Sequence, residues 1–159
     1  MGAKFKEGSA VALLLALLLV SVIITVRYRE WKIVLPIFFT LAAEVLAILG
    51  FAAVVGWQLD LPSIAGIIAV IGTGVDQLVM ITDEVISGGK TAARIYRRRV
   101  SFAYSIIFAS AATTIVAMLA LASMALGTLR GFAIVTIVGL LIGIFVTRPA
   151  YARTLEYIL

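Results

Sequence analysis

Apolar residues along the chain fall into five long runs that short polar segments separate. Each run is close to the roughly 20 residues that an α-helix needs to cross the hydrocarbon core of a bilayer. The pattern therefore predicts an all-α fold, a polytopic transmembrane helical bundle of five spans in a single domain. The expected spans are 9–26, 33–57, 61–86, 100–126 and 129–148.

Glycine and proline residues indicate where the last two spans begin and end. Gly127 and Gly131 flank Arg130, which predicts a tight turn between the fourth and fifth spans. Pro149 is expected to kink or end the fifth span, because proline has no N–H to donate and its ring clashes with the preceding turn. Residues 151–159 would then form a short interfacial helix.

The composition changes the range of possible functions. Of the 159 residues, 64% are hydrophobic and 13% are charged, which excludes a water-soluble globular domain. The sequence contains no Cys and no His. Thiolate nucleophiles, Cys-based metal sites and histidine bases are therefore excluded, and any proton chemistry has to use carboxylates. We expect no catalytic site, no metal and no cofactor.

The basic residues give an orientation. The net charge is +5, and ten of the 13 Lys and Arg residues fall at one set of span ends. This bias places the C-terminus in the cytoplasm and the N-terminus outside, and it indicates anionic lipid rather than nucleic acid as the partner. The ten are Arg27, Arg29, Lys32, Lys90, Arg94, Arg97, Arg98, Arg99, Arg148 and Arg153, against Lys4, Lys6 and Arg130 at the other ends.

Two further expectations follow from this topology. An N-terminus on the outside suggests that another span precedes these residues in the natural protein. The segment 91–99 alternates apolar and basic residues, which predicts an amphipathic helix that lies on the cytoplasmic membrane surface and leads into the fourth span. Its simplest role is that of a topology anchor.

Two acids interrupt the spans near the expected bilayer midplane. Glu44 lies in the second span and Asp76 in the third. A charged carboxylate at this depth costs about 2.5–3.5 kcal/mol, so such residues usually face a bundle interior and serve a function. A carboxyl that is neutral when sealed and ionised when hydrated can carry a proton. We expect no Lys or Arg at this depth; for Glu44, a protonated acid that bonds a neighbouring helix is an equal alternative.

Asp76 stands in the sequence Gly72-Thr73-Gly74-Val75-Asp76-Gln77. Helical spacing puts Met80 and Asp83 on the same face as Asp76. In the fourth span, hydroxyls reach a similar depth, although bonding to their own helix carbonyls is an alternative role for them. Asp83 and Glu84 are expected to be solvated at the interface. The candidate proton relay comprises Asp76, Glu44, Thr73, Gln77, Thr113 and Thr114, with Ser110 beside them.

Glycines mark the expected helix contacts. Gly72 and Gly74 weaken the helix around Asp76 and permit another backbone to approach. Gly139 and Gly143 form a small-xxx-small ridge in the fifth span. We predict that all four are helix-packing positions.

These stretches resemble a known family. Gly72–Glu84 (GTGVDQLVMITDE) is similar to the Gly-x-x-Val-Asp helix of the SecD/SecF protein-export family, and Leu129–Ala133 (LRGFA) is similar to the opening of its last span. The matching motif residues are Val75, Asp76, Arg130, Gly131 and Phe132, and the likeness continues through Gly139, Gly143 and Arg148-Pro149. It extends over almost the whole chain and is greatest for the archaeal SecD branch, within the resistance–nodulation–division superfamily of proton-coupled transporters.

The resemblance implies a fold, a function and partners. The chain would be the membrane part of an accessory subunit of the Sec translocon, half of a pseudo-symmetric bundle completed by a SecF-like subunit. It would promote the translocation or release of exported polypeptides on the outer side, with proton movement coupled to an extracytoplasmic domain. The family's first span and that domain would precede residue 1.

The sequence departs from the bacterial pattern in two places. An Asp-Ala-Asn-x-Thr-Thr stretch of bacterial members reads Ala109-Ser110-Ala111-Ala112-Thr113-Thr114 here, so that acid is absent. Leu78 stands where bacterial members tend to have Asn. Of the bacterial proton path, Asp76 alone therefore carries over to this chain.

Two other classes of protein stay open at this point. An intramembrane aspartyl protease would need two carboxyls that share a proton, and Glu44 is the one available partner for Asp76. Val75 separates the glycines from Asp76, unlike the Gly-x-Gly-Asp motif of such proteases. A related lipid or drug exporter is the other alternative, although the sequence has no signature for such a substrate.

Overall fold

The computed structural model describes residues 2–87, 93–124 and 127–158, all of them in helices or short connections. Six α-helices and one π-helical turn follow one another, and the described residues contain no β-strand. The helices are α1 (Gly2–Tyr28), α2 (Trp31–Val55), α3 (Leu61–Ser87), α4 (Ala93–Met124), α5 (Thr128–Ile142) and α6 (Arg148–Ile158), with the π-helical turn at Gly143–Thr147.

Five helical segments are long and apolar enough to cross a membrane, which confirms the predicted all-α bundle of five spans. The fifth comprises α5, the π-helical turn and α6 without a break. The five segments are Lys4–Tyr28, Trp31–Val55, Leu61–Ser87, Ile95–Met124 and Leu129–Ile158.

Helix α3 lies at the centre of the bundle and contacts each of the other helices. Its inner face is the most buried of the bundle, and its broadest contact is with α5. By contrast, α1 and α4 leave most of their apolar side chains exposed within this chain. The inner face of α3 therefore holds the bundle together, whereas its outer face has to meet lipid, water or another protein.

The fifth helix does not end at Pro149, so of the two effects expected of this proline, a kink or an end, the end is wrong. The π-helical turn immediately precedes α6, and the Arg148 N–H bonds to the carbonyl of Gly143 across this wide turn. Pro149 follows directly and has no N–H to donate, so the local widening occurs where the regular α-helical ladder is interrupted. Residues 151–158 consequently continue the fifth helix and do not form a separate interfacial segment.

The basic segment leads into the fourth span, as the sequence predicts, and does so without a break. Helix α4 runs from Ala93 to Met124 without interruption, so residues 93–99 are its first turns. Thr91 and Ala92 lie outside the described residues. The turn before α5 is at Gly127, whose φ of 90° lies in the region that glycine tolerates. Gly131 lies inside α5, so it is not part of that turn.

Candidate functional site

Asp76 lies on the exposed outer face of α3. It borders a shallow, open depression that also includes Val79, Met80, Asp83 and Glu84. No ion pair or side-chain hydrogen bond of Asp76 forms with any residue in the described part of the chain. Asp76 therefore does not face the interior of this bundle. Its carboxyl is accessible from the outer face of α3.

Glu44 has the opposite environment. It is 1% exposed and lies against Arg148, which is 0% exposed. The distance from Arg148 Nη1 to Glu44 Oε2 is 2.6 Å. The expectation that no basic residue reaches this depth was therefore wrong, because the fifth span continues past Thr147 and carries Arg148 into the bundle. The two acids lie on different sides of α3, so they do not form the shared-proton pair that an aspartyl protease requires.

Arg148 binds more than one partner at once. Its Nε donates to Gln77 Oε1 at 2.9 Å, and its Nη1 donates to Thr147 Oγ1 at 2.6 Å. Since Nη1 points to Thr147, its contact with Glu44 is an ion pair rather than a well-aligned hydrogen bond. Among the described residues, Nη2 has no hydrogen-bond partner. The guanidinium thus joins α2, α3 and the end of the π-helical turn through one planar group.

Two glycines enclose this ion pair. A Cβ at Gly74 would lie 2.9 Å from Arg148 Nη2 and 3.3 Å from Glu44 Oε2. A Cβ at Gly143 would lie 2.7 Å from Arg148 Cζ and 2.8 Å from Glu44 Oε1. Both distances at Gly143 are shorter than real Cβ contacts, so the ion pair occupies the space that a side chain would need.

The other two predicted packing glycines differ from each other. A Cβ at Gly139 would lie 2.6 Å from Val70 Cγ2, so Gly139 lets α5 approach α3 closely. Gly72 is exposed, and a Cβ there would meet nothing within 4 Å. Gly72 is therefore not a packing position within this chain.

The candidate relay hydroxyls bond to their own helices. Thr73 Oγ1 donates to the carbonyl of Val70 at 3.1 Å. Thr113 Oγ1 and Thr114 Oγ1 both donate to the carbonyl of Ser110, at 2.7 and 3.0 Å. The structure brings none of these three hydroxyls into a hydrogen bond with Asp76 or Glu44. Of the candidate relay residues, only Glu44 and Gln77 meet in one network, through Arg148.

A second polar contact joins α3 to α6. The Thr82 hydroxyl donates to the carbonyl of Leu78 at 2.7 Å, so the hydroxyl of Tyr151 donates to Thr82 Oγ1 at 2.6 Å. Tyr96 of α4 donates to the carbonyl of Ala152 at 2.6 Å. Helix α6 is therefore held by polar contacts from α3 and α4.

The acids at the end of α3 have partners. Asp83 forms an ion pair with Arg27 at 3.1 Å and accepts a hydrogen bond from the Tyr28 hydroxyl at 2.8 Å. Glu84 lies 3.6 Å from Arg99. These partly exposed pairs tie α3 to α1 and α4, where the sequence had indicated only solvated acids.

The Arg130-Gly131-Phe132 motif lies where α5 meets the first turn of α3. Ser63 donates its backbone N–H to Asp60 Oδ1 at 2.9 Å, which is the contact of a helix N-cap. A Cβ at Gly131 would lie 2.7 Å from Ser63 Oγ and 3.0 Å from Asp60 Oδ1. A Cβ at Gly66 would likewise lie 2.9 Å from the carbonyl oxygen of Phe132. Of the remaining motif residues, Arg130 is exposed and Val75 packs against the core.

Arg148 is the functional candidate that the sequence reasoning missed, since it had been counted as a topology charge. A signal for it was present. Leu140, Ile144, Tyr151 and Leu155 recur at helical spacing and are buried, and Arg148 falls in the same stripe. A single helix through Pro149 would have placed Arg148 inside the bundle.

The comparisons with known proteins agree with the resemblance of the sequence motifs. Residues 1–149 match the family model described as protein export membrane protein SecD/SecF, C-terminal. The protein-export membrane protein SecD of Methanocaldococcus jannaschii is 55% identical over 155 residues, which are 98% of this chain and 38% of the relative. The protein of the same name from Thermococcus gammatolerans is 54% identical over 164 residues, 100% of this chain and 31% of the relative.

A bacterial relative is more distant. The protein translocase subunit SecD of Anaeromyxobacter dehalogenans is 32% identical over 161 residues, which cover 99% of this chain and 26% of that protein. The chain therefore spans about a quarter to two fifths of the length of these relatives.

Proposed function

Because the chain belongs to the SecD/SecF family of protein-export membrane proteins, we propose that it is the membrane part of an accessory subunit of the Sec export machinery. This subunit promotes the translocation or release of exported polypeptides and couples that work to proton movement through Asp76. Its partners are a SecF-like subunit, the Sec translocon channel and the exported polypeptides. The observation that carries the coupling is the position of Asp76 on the outer face of α3.

The carboxyl of Asp76 needs a polar environment that this chain does not supply among its described residues. Asp76 lies near the middle of an apolar helix, and no described residue of this chain pairs with it. A charged side chain that faces acyl chains at this depth would cost about 2.5–3.5 kcal/mol, so a protein surface or a hydrated path has to meet it. This argument favours a partner subunit on the outer face of α3.

The neighbours of Asp76 fit a close partner helix. Gly72 and Ala65 are also exposed and lie on the same face of α3, one and three turns before Asp76 respectively. Small residues allow two membrane helices to approach closely. A SecF-like helix on this surface would bring its own polar groups next to the carboxyl.

Proton binding would then change this contact. The protonated carboxyl is neutral and can be buried against the partner helix, whereas the ionised carboxylate needs water or a donor. Alternation between the two states would move α3 relative to the partner. Such a movement is the step that an extracytoplasmic domain could use to pull or release a polypeptide.

The proposed orientation in the cell membrane has the N-terminus outside and the C-terminus in the cytoplasm. Arg148 is buried, so it no longer counts among the surface charges. The remaining twelve basic residues divide nine to three in favour of the same end (ten less Arg148, against Lys4, Lys6 and Arg130). Arg97 and Arg98 are exposed at this end and are suited to anionic lipid head groups. Lys90 and the side chain of Arg94 lie outside the part of the chain that the structure describes.

The test compares two carboxyls on one face of one helix. Asp76→Asn and the control Asp83→Asn are made in the protein as the cell produces it. We measure export of a secreted reporter, proton flux into membrane vesicles and co-purification of the SecF-like subunit. Asp76→Asn should abolish stimulated export and proton flux while the subunits still co-purify, and Asp83→Asn should retain all three. Normal export by Asp76→Asn would refute the proposal.

A further inference from the structure

Asp76 and Gln77 are neighbours in sequence but face different surroundings. Consecutive residues of an α-helix point about 100° apart, and here this turn separates the outer face of α3 from its inner side. Asp76 is exposed, whereas Gln77 is buried and accepts a hydrogen bond from Arg148 Nε at 2.9 Å. The side chain next to the proposed proton carrier is therefore bound to the buried guanidinium.

The guanidinium is itself held in place. Glu44 Oε2 lies 2.6 Å from Nη1, and Thr147 Oγ1 accepts from the same nitrogen. The planar group also packs directly against Gly74 and Gly143, where an added Cβ would lie within 3 Å of it. Because its fork geometry is rigid, fixing Nη1 also fixes the direction in which Nε donates.

From these contacts we infer that Arg148 is a positioning residue, which through Gln77 sets the rotation of α3 that presents Asp76 on the outer face. The inference deepens the proposed function, because its value for export depends on Asp76 being the proton carrier. The structural part stands apart from export, since it concerns only which way α3 faces. Glu44 serves to hold Arg148 in this role.

A rotation of α3 has a measurable signature. Thr73 and Val79 lie about 60° to either side of Asp76 on the helix and are both half-buried. A rotation exposes one of them and buries the other, whereas a general loosening of the bundle exposes both. The sign of the two changes therefore distinguishes loss of positioning from loss of stability.

The experiment places a nitroxide spin label on a single cysteine at Thr73 or Val79, in the full protein reconstituted into lipid nanodiscs. The chain contains no cysteine of its own, and any cysteine elsewhere in the protein is replaced first. The accessibility of each label to molecular oxygen is compared between the parent and Gln77→Leu. This variant removes the acceptor of Arg148 Nε and leaves the Glu44–Arg148 pair intact. We expect the two accessibilities to change in opposite directions.

Three further variants test the same inference. Gln77→Glu keeps an acceptor oxygen at the same distance along the side chain. It should therefore retain the parent's ratio of oxygen accessibility between the labels at Thr73 and Val79. Thr82→Val is the matched control, because it removes the other polar contact between α3 and α6, the one with Tyr151. It should leave the ratio unchanged. Arg148→Lys keeps the charge but cannot serve Glu44 and Gln77 with one fork, and it should shift the ratio as Gln77→Leu does.

The inference is overturned if Gln77→Leu leaves both labels unchanged, if both become more accessible together, or if Thr82→Val shifts the ratio equally. None of these readouts involves export. Normal export by Asp76→Asn would remove the proposed function without altering the label ratio, so the two failures are distinguishable.

Discussion

The guanidinium of Arg148 meets the carboxylate of Glu44 at 2.6 Å inside the bundle, where neither side chain is accessible from outside. The pair joins α2 to α6, and the bond from Arg148 to Gln77 adds α3. A pair of charges without water is stable only while both members are present, since the desolvation of each ion is offset by the other. The centre of this membrane bundle therefore depends on a polar contact between three helices.

The first prediction concerns the removal of one charge. Arg148→Met should lower the free energy of unfolding by about 3–5 kcal/mol, because it leaves Glu44 buried without its partner. Thermal unfolding in detergent measures the loss. The control is the double variant Glu44→Met/Arg148→Met, in which an apolar pair replaces the ions and most of the stability should return. A double variant no more stable than Arg148→Met would contradict this account.

The second prediction compares two glycines. Gly143→Ala should destabilise the protein by about 1–3 kcal/mol, because its Cβ would overlap both Arg148 and Glu44. Gly72→Ala meets open space and removes a flexible residue from a helix, so it should stabilise the isolated subunit by about 0.5–1 kcal/mol. The unfolding midpoints of the two variants and the parent, measured in the same detergent, give both changes in stability. Equal effects would mean that the ion pair does not fill the space beside Gly143.

The third prediction separates stability from function at Asp76. Because Asp76 has no partner among the described residues, Asp76→Asn should change the free energy of unfolding of this subunit by no more than about 0.5 kcal/mol. The unfolding midpoint of the purified subunit measures this. A large loss of stability would show that Asp76 supports the bundle itself, and the export defect of the variant would then have a structural cause.

The sequence was sufficient to predict the five spans, since long apolar runs between charged segments have few alternatives in a chain this hydrophobic. It also singled out Glu44 and Asp76 as the two candidate acids within the spans. Periodicity alone did not tell which of them faces inward. That distinction depends on which face of α3 packs against α5, and this is a tertiary contact that spacing within one helix does not specify.

The contacts of Arg148 with Glu44 and Gln77 escaped prediction for a local reason. Pro149 suggested a helix end, and a helix that ends there leaves Arg148 at the membrane surface. The π-helical turn at Gly143–Thr147 allows the helix to continue, and the continuation buries Arg148 beside Glu44. The roles of Gly74 and Gly143 became visible only with this ion pair, because helix packing and enclosure of a polar group give the same pattern of small residues in sequence.

The fourth prediction concerns the contact between Gly131 and the start of α3. Asp60→Ala should cost about 0.5–2 kcal/mol, because the backbone N–H of Ser63 loses its acceptor, whereas Asp60→Asn keeps an acceptor oxygen and should cost less. Gly131→Ala should be destabilising on its own, since its Cβ would lie 2.7 Å from Ser63 Oγ and 3.0 Å from Asp60 Oδ1. Thermal unfolding again measures each loss.

A double-variant cycle tests whether these two losses have one cause. If Gly131 is small in order to accommodate the capped turn, Asp60→Ala should relieve part of the collision, and Gly131→Ala should then cost less in that background than in the parent. Residues in contact typically show coupling of about 0.5–3 kcal/mol, which is well above the error of the measurement. Strict additivity would indicate that Gly131 serves another purpose, such as contact between the exposed Arg130 and a neighbouring protein, and the packing explanation of this motif would fail.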